Sequence, residues 1–175
     1  MRFEPVTSTR RAFLFGCAAA LLAPAARASH LRVGAPAPAT TLVTLDGRSI
    51  STTDLAGQVV VVTFWATYCS PCRTELPLLS QFAAAHAKEG LTVLGFCLDG
   101  EDALADVTRI AHELSFPVGL LSRSRAEGYG RIWRLPVSFT IDRAGQLASD
   151  GWSEKQPLLS TARLEALVTP LLRSG

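Results

Sequence analysis

The sequence predicts a three-layer α/β/α sandwich with an N-terminal β-hairpin and a helix–strand insertion at its centre. Three observations predict it. Apolar runs of strand length, Val59–Trp65 and Leu91–Cys97, alternate with segments whose apolar residues recur at helical spacing. A strand pair and a final amphipathic helix then close the chain. Finally, 175 residues with 48% hydrophobic content suit one globular domain with an ordinary core.

Taken in order, residues 29–40 are rich in Ala and Pro and read as an extended lead-in to a domain at 41–174. Segments 41–45 and 48–52 flank Asp46-Gly47, a turn pair that favours a tight hairpin. Val59–Trp65 is β-branched and aromatic, the pattern of a central strand buried on both faces. Beyond Cys69, Leu76, Leu79, Phe82 and Ala83 fall on one helical face, Pro77 predicts a kink, and Gly90 predicts the stop. Leu91–Cys97 is a second buried strand. Residues 101–113 form an amphipathic helix with Leu104, Val107, Ile110 and Leu114 on one stripe. A third strand at 117–121, a short helix at 124–133, strands at Val137–Ile141 and 146–149, and a closing helix at 158–172 complete the domain. Right-handed crossovers put Cys69 at the carboxyl end of a central strand, where a helix begins.

Residues 1–28 have the layout of an export signal. Arg2, Arg10 and Arg11 precede an uncharged apolar run at 12–26, and Ala26-Arg27-Ala28 supplies small residues where a signal peptidase cuts. The order Thr9-Arg10-Arg11-Ala12-Phe13-Leu14 resembles the twin-arginine export motif; an ordinary secretory signal is the other reading. The run is short for a membrane span, which takes about 20 residues, yet an uncleaved anchor also stands as a reading. Cys17 lies early in the apolar run rather than after it, which argues against lipidation. Without this segment the chain loses four basic residues and one acidic residue, and the formal charge moves from +2 to about −1. Nothing in that balance points to a nucleic acid or an acidic membrane as partner.

Four cysteines become three when Cys17 leaves with the signal. Cys69 and Cys72 are too close to close a useful stabilising loop, so their spacing points to chemistry. At a helix start Cys69 meets unpaired backbone N–H groups and the positive end of the helix dipole, which favour a thiolate. That makes Cys69 the attacking sulfur. Cys72, one turn on and deeper, resolves the mixed disulfide. Pro71 suits the first helical turn, having no N–H to satisfy. A zinc site would need a second ligand pair, whereas Cys97 stands alone and His30, His86 and His112 are scattered. Copper handling would want soft ligands, and Met1 is the only Met. No metal and no cofactor is therefore expected, with a metal-binding chaperone kept as the alternative from another class.

The segment Phe64-Trp65-Ala66-Thr67-Tyr68-Cys69-Ser70-Pro71-Cys72-Arg73 resembles the active site of thioredoxins, and more narrowly the exported TlpA/ResA family of thiol–disulfide oxidoreductases. Val33-Gly34-Ala35-Pro36-Ala37-Pro38, Leu55-Ala56-Gly57-Gln58 and 135–142 extend the resemblance over nearly all of the chain. It implies a thioredoxin-like fold, a cis Leu135–Pro136 bond beside the cysteines, and Leu135 as a substrate contact through its backbone. It also implies a proton-handling role for Glu75, three residues after Cys72; the bland alternative is a solvated first-turn glutamate.

Three positions depart from the pattern. Thr63 replaces the buried Asp of thioredoxins, Tyr68 replaces a Trp as the aromatic lip before the first Cys, and Val137 stands where some cytochrome-maturation members carry Glu. Trp65 and Trp133 read either as an apolar docking rim or as core. Cys97 reads as a buried small hydrophobe rather than a third redox thiol. The function implied is an exported reductant of protein disulfides, with roles in cytochrome c maturation in the family. Its partners would be oxidised substrate proteins such as apocytochrome c and a membrane thiol-reducing donor. The same exchange run as an oxidant or isomerase is the alternative. A peroxidase is disfavoured because Thr67 lies only two residues before Cys69, outside the Pro-x-x-x-Thr-x-x-Cys spacing.

Overall fold

The structure is a computed structural model and describes Met1, residues 31–154 and residues 159–174. Beyond Met1, the expected export signal with Cys17, and the first two positions of the lead-in, lie outside the described residues. Among the described residues no helix is long and apolar enough to cross a membrane.

A two-stranded antiparallel hairpin, β1 (Thr41–Val43) and β2 (Ser49–Ser51), precedes the main sheet. Both strands are shorter than expected. Beyond the strands the turn is closed by Thr44 N–H to Arg48 O (2.8 Å) and Gly47 N–H to Thr44 O (2.9 Å), with the Thr44 hydroxyl bonding Asp46 and the Arg48 carbonyl. The main sheet has the order β5-β4-β3-β6-β7, built from β3 (Val59–Trp65), β4 (Leu91–Cys97), β5 (Val118–Leu120), β6 (Val137–Ile141) and β7 (Leu147–Ser149). β3, β4 and β5 run parallel, and β6 and β7 are antiparallel to their neighbours. β3 is buried at all seven positions because strands flank it and packing covers both of its faces.

Among the described residues three α-helices connect and close the sheet: α1 (Ser70–His86), α2 (Leu104–Ala111) and α3 (Thr161–Arg173). α1 continues through Pro77 and ends in a single 3₁₀ turn, Ala87–Glu89. Gly90 stops it in the left-handed region (φ 88°), where a residue without Cβ carries little penalty. The expected helix at 101–113 starts as a 3₁₀ turn, Glu101–Ala103, before α2.

The two faces of the sheet are covered differently. Val59, Val61 and Trp65 of β3 pack with Leu76, Leu79 and Phe82 of α1, Val107 of α2, and Leu164, Val168 and Leu172 of α3. The alternate β3 residues Val60, Val62 and Phe64 pack with Leu42 of the hairpin, Ala126, Tyr129 and Phe139. Phe64 lies 5.3 Å from Phe96 and 6.1 Å from Phe139 between ring centres, an aromatic layer in place of a helix. The helix expected at 124–133 is the reason for this difference. Only a 3₁₀ turn forms there, Glu127–Tyr129. Gly130 is at φ 76°, and a Cβ on Gly128 would come within 2.3 Å of Pro38. The hairpin, this turn and the lead-in therefore make the outer layer. β1 crosses close over β5 at Gly119, where a Cβ would sit 1.9 Å from the Val43 carbonyl oxygen.

The end of the sheet away from the cysteines is fastened by Arg143. Its guanidinium donates to the carbonyls of Gly57 (2.7 Å), Glu89 (2.7 Å) and Leu172 (3.0 Å), joining the β3 approach, the α1 exit and α3.

Candidate active site

β3 delivers the chain to the carboxyl edge of the sheet at Trp65, whose carbonyl accepts from the Leu98 N–H at 2.9 Å. A turn closed by Cys69 N–H to Ala66 O (3.1 Å) then aims the chain into α1. Cys69 is the N-cap residue, with extended backbone, and its Sγ accepts from the Cys72 N–H at 3.2 Å. A sulfur thus takes the place usually held by a Ser or Asp oxygen at a helix start, against the positive end of the dipole. Cys69 and Cys72 form a disulfide. Cys69 keeps 7% of its surface open while Cys72 is sealed, so a partner reaches the pair from the Cys69 side.

The Leu135–Pro136 bond is cis. Val137 pairs with Phe64 in the antiparallel β3–β6 ladder, which places Pro136 at the level of Trp65, beside the turn that carries Cys69. Leu135 is half-buried against both core clusters. Tyr68, directly before Cys69, is 72% exposed and forms a lip. Trp65 is fully buried, so it is a packing residue beneath the site and not a surface contact; β3 alternation turns it inward against the α1 side. Trp133 is exposed and stacks on Trp152 at 5.4 Å, with the Arg134 guanidinium over both rings. Between α1 and α2 a cleft of about 470 Å³ opens at Thr67 and Tyr68, lined also by Arg73, Pro77 and Arg109.

Two carboxylates bracket this disulfide. Glu75 is 2% exposed, on α1 one turn beyond Cys72. Its Oε2 accepts from the Leu159 N–H at 2.8 Å. Burial pushes its pKa up to about 7, against the opposing pull of that N–H, the Ser138 hydroxyl and the Arg163 guanidinium. The solvated first-turn glutamate is therefore ruled out. Ser138 Oγ lies 2.9 Å from Oγ1 of Thr63, which is also buried, so hydroxyls stand where thioredoxins place an aspartate. Arg163 is paired in turn with Glu154.

Asp99 follows the carboxyl end of β4. Its Oδ2 accepts from the Thr67 N–H (2.7 Å) and the Cys97 thiol (3.0 Å), and its Oδ1 from the Thr67 hydroxyl (2.7 Å). Burial opposes ionisation of Asp99, but these three donors outweigh it and hold the carboxyl below its ordinary 3.8. Burial, together with the bond to Asp99, pushes the Cys97 thiol well above the usual thiol range. Sequence reasoning passed over Asp99. A polar residue just past the carboxyl end of a central strand was the signal for it, since loops at that edge are where α/β sites form.

Residues 33–149 match the model of the AhpC/TSA family. The chain belongs to that family. Among its curated relatives, a thiol-disulfide oxidoreductase ResA from Geobacillus thermodenitrificans is 32% identical over 117 residues, 66% of each chain. ResA from Bacillus cereus is 27% identical over 67% of this chain and 68% of its own. A solved structure of a thiol:disulfide interchange protein DsbE from Chlorobium tepidum superposes with a TM-score of 0.67 at 25% identity, over 81% of this chain and 99% of the other. The fold is thioredoxin-like, and the chain is a thiol–disulfide oxidoreductase of the ResA/DsbE type. Among the described residues no group of three or more His, Cys, Asp or Glu side chains is arranged to hold a metal.

Proposed function

We propose that this chain reduces protein disulfides outside the cytoplasm, with Cys69 as attacking sulfur, Cys72 as resolving sulfur and Glu75 as the proton acceptor for Cys72. In the reduced enzyme the Cys69 thiolate attacks one sulfur of a substrate disulfide, and the other leaves as a thiolate. Cys72 loses its proton to Glu75 and attacks Cys69 Sγ. The second substrate sulfur departs, and two electrons have moved from enzyme to substrate. The product is the Cys69–Cys72 disulfide present in this structure. A dithiol donor at the membrane must then restore the two thiols. The substrate pairs with the backbone of Leu135, held by cis Pro136, with Tyr68 as the aromatic lip.

One observation carries the proposal. Glu75 is a sealed carboxyl one turn from the sealed Cys72, and it titrates near neutrality, where a proton acceptor works best. The layout of residues 1–28 supports export by a twin-arginine or ordinary secretory route. The relatives named thiol-disulfide oxidoreductase support the exchange itself, while the reducing direction and a substrate such as apocytochrome c rest on the resemblance to the TlpA/ResA family.

The test is equilibration of the full chain across glutathione ratios, followed by alkylation and mass measurement. A potential near about −270 mV supports a reductant, and one near about −120 mV would mean that the exchange runs as an oxidant. Failure of Cys69 and Cys72 to interconvert at any ratio would overturn the reading.

A further inference from the structure

We propose that Asp99 is the positioning residue of the redox turn: by receiving both donors of Thr67 it fixes the segment from Trp65 to Cys69 so that the Cys69 sulfur caps α1. The proposal deepens the reading in which Cys69 attacks.

The geometry has three parts. First, the anchor is rigid. Trp65 and Cys97 are register partners in the parallel β3–β4 ladder, and the Leu98 N–H extends that ladder to the Trp65 carbonyl. Asp99 therefore leaves a strand end that cannot shift without unzipping the centre of the sheet. Second, the grip is two-pronged. Thr67 N–H and Thr67 Oγ1 reach different oxygens of one carboxylate, both at 2.7 Å, and this fixes the orientation of the residue as well as its distance. Thr67 lies two residues before Cys69, and the turn between them is also closed by Cys69 N–H to Ala66 O. Third, the carboxylate is buried, so its cost in lost hydration is met only while all three donors stay in place.

The third donor accounts for Cys97. Its thiol hydrogen is committed to Asp99, and the residue is fully buried. It completes the carboxylate's partners and stays a neutral thiol, so a third cysteine can sit near a redox pair without joining the exchange.

A residue acting through geometry differs from one acting through charge. Asp99→Ala removes the grip and the charge. Asp99→Asn removes the charge but leaves an amide oxygen for the Thr67 N–H. Loosening the turn takes Cys69 Sγ off the Cys72 N–H and disfavours its thiolate, whereas deleting a nearby negative charge alone would favour it.

The experiment uses full-length reduced protein and follows iodoacetamide alkylation of Cys69 against pH, read by mass, with melting temperatures measured alongside. Asp99→Ala is expected to lower the pH 7 alkylation rate about tenfold through an upward shift of the midpoint, and Asp99→Asn to stay within about twofold of wild type. Thr67→Val, which keeps the backbone N–H, is expected to fall between them and guards against an Asp99→Ala variant that does not fold. Three results would overturn the proposal: a midpoint unchanged in all three folded variants, a downward shift in both Asp99 variants, or alkylation of Cys97 in the native protein. Alkylation needs no disulfide substrate, so these readings stand even if exchange with disulfides fails and the proposed reductase reaction falls with it.

Discussion

Glu75 and Asp99 are both buried carboxyl groups, and each acts on the segment that carries the same disulfide. Glu75 follows Cys72 on α1, and Asp99 holds Thr67 just before Cys69. Their protonation runs in opposite directions, and the balance of burial against donors decides it. Asp99 receives two hydrogen bonds from Thr67 and one from Cys97, enough to outweigh its burial. Glu75 is more deeply sealed and has one backbone donor at 2.8 Å, with the Ser138 hydroxyl and the Arg163 charge as weaker aids. Burial wins there, and the carboxyl is brought to about 7. One site thus contains a fixed anion that shapes a turn and a carboxyl free to gain or lose a proton. The chemical type is the same, and the balance between burial and donors separates the roles.

The largest expected effect is on turnover. Glu75→Gln is expected to lower kcat/KM for reduction of a model disulfide at pH 7 by roughly 10²-fold and to flatten the inflection near pH 7, as stopped-flow rates across pH would show. An unchanged profile would leave Glu75 as a structural residue like Asp99.

Stability comes next, and the two carboxyls should respond with opposite sign. Glu75 has a raised pKa in the folded protein. Its folded form is therefore favoured most below pH 4.5, and that contribution is lost as pH rises through about 7. Urea unfolding of oxidised Glu75→Gln should show a gain of up to roughly 3 kcal/mol at pH 8 and little at pH 4. Asp99 has a lowered pKa, so its contribution is present above 3.8 and is lost as pH falls through the lower folded value. Asp99→Asn should cost about 1–3 kcal/mol at pH 7, with the difference shrinking in acid.

The smallest effect belongs to Ser138→Ala. Removing one of the weaker aids to Glu75 should raise its midpoint by a fraction of a unit, visible as a shift in the pH–rate profile of the variant.

What the sequence made legible follows from how local each feature is. Val59–Trp65 reads as a central strand because burial on both faces leaves an almost wholly apolar run. Cys69, Pro71 and Cys72 read as a redox helix start because cap, proline and thiol spacing are contained in four residues. The position of Pro136 came through its resemblance to a known segment, and the bond is cis. The less legible features depend on distant partners. The donor that meets Glu75 lies 84 residues away at Leu159, and Thr67 lies 32 residues from Asp99. Spacing on α1 could put Glu75 near Cys72, but it could not show which element would seal it from water. Trp65 was ambiguous for a similar reason: an aromatic at a strand end serves as rim or core according to which face the neighbouring helices cover. Residues 124–133 read as a short helix, but Gly128 packs against Pro38 and Gly130 takes a positive φ, so a single 3₁₀ turn replaces it.

Environment divides these two carboxyls between two roles. The most direct test is a ¹³C NMR titration of the side-chain carboxyl carbons in the oxidised protein, with Glu75→Gln and Asp99→Asn to assign the signals. A Glu75 midpoint near 7 and an Asp99 midpoint below 3.8 are expected. A Glu75 midpoint at its ordinary 4.5 would contradict this division and would remove the proton acceptor from the proposed exchange.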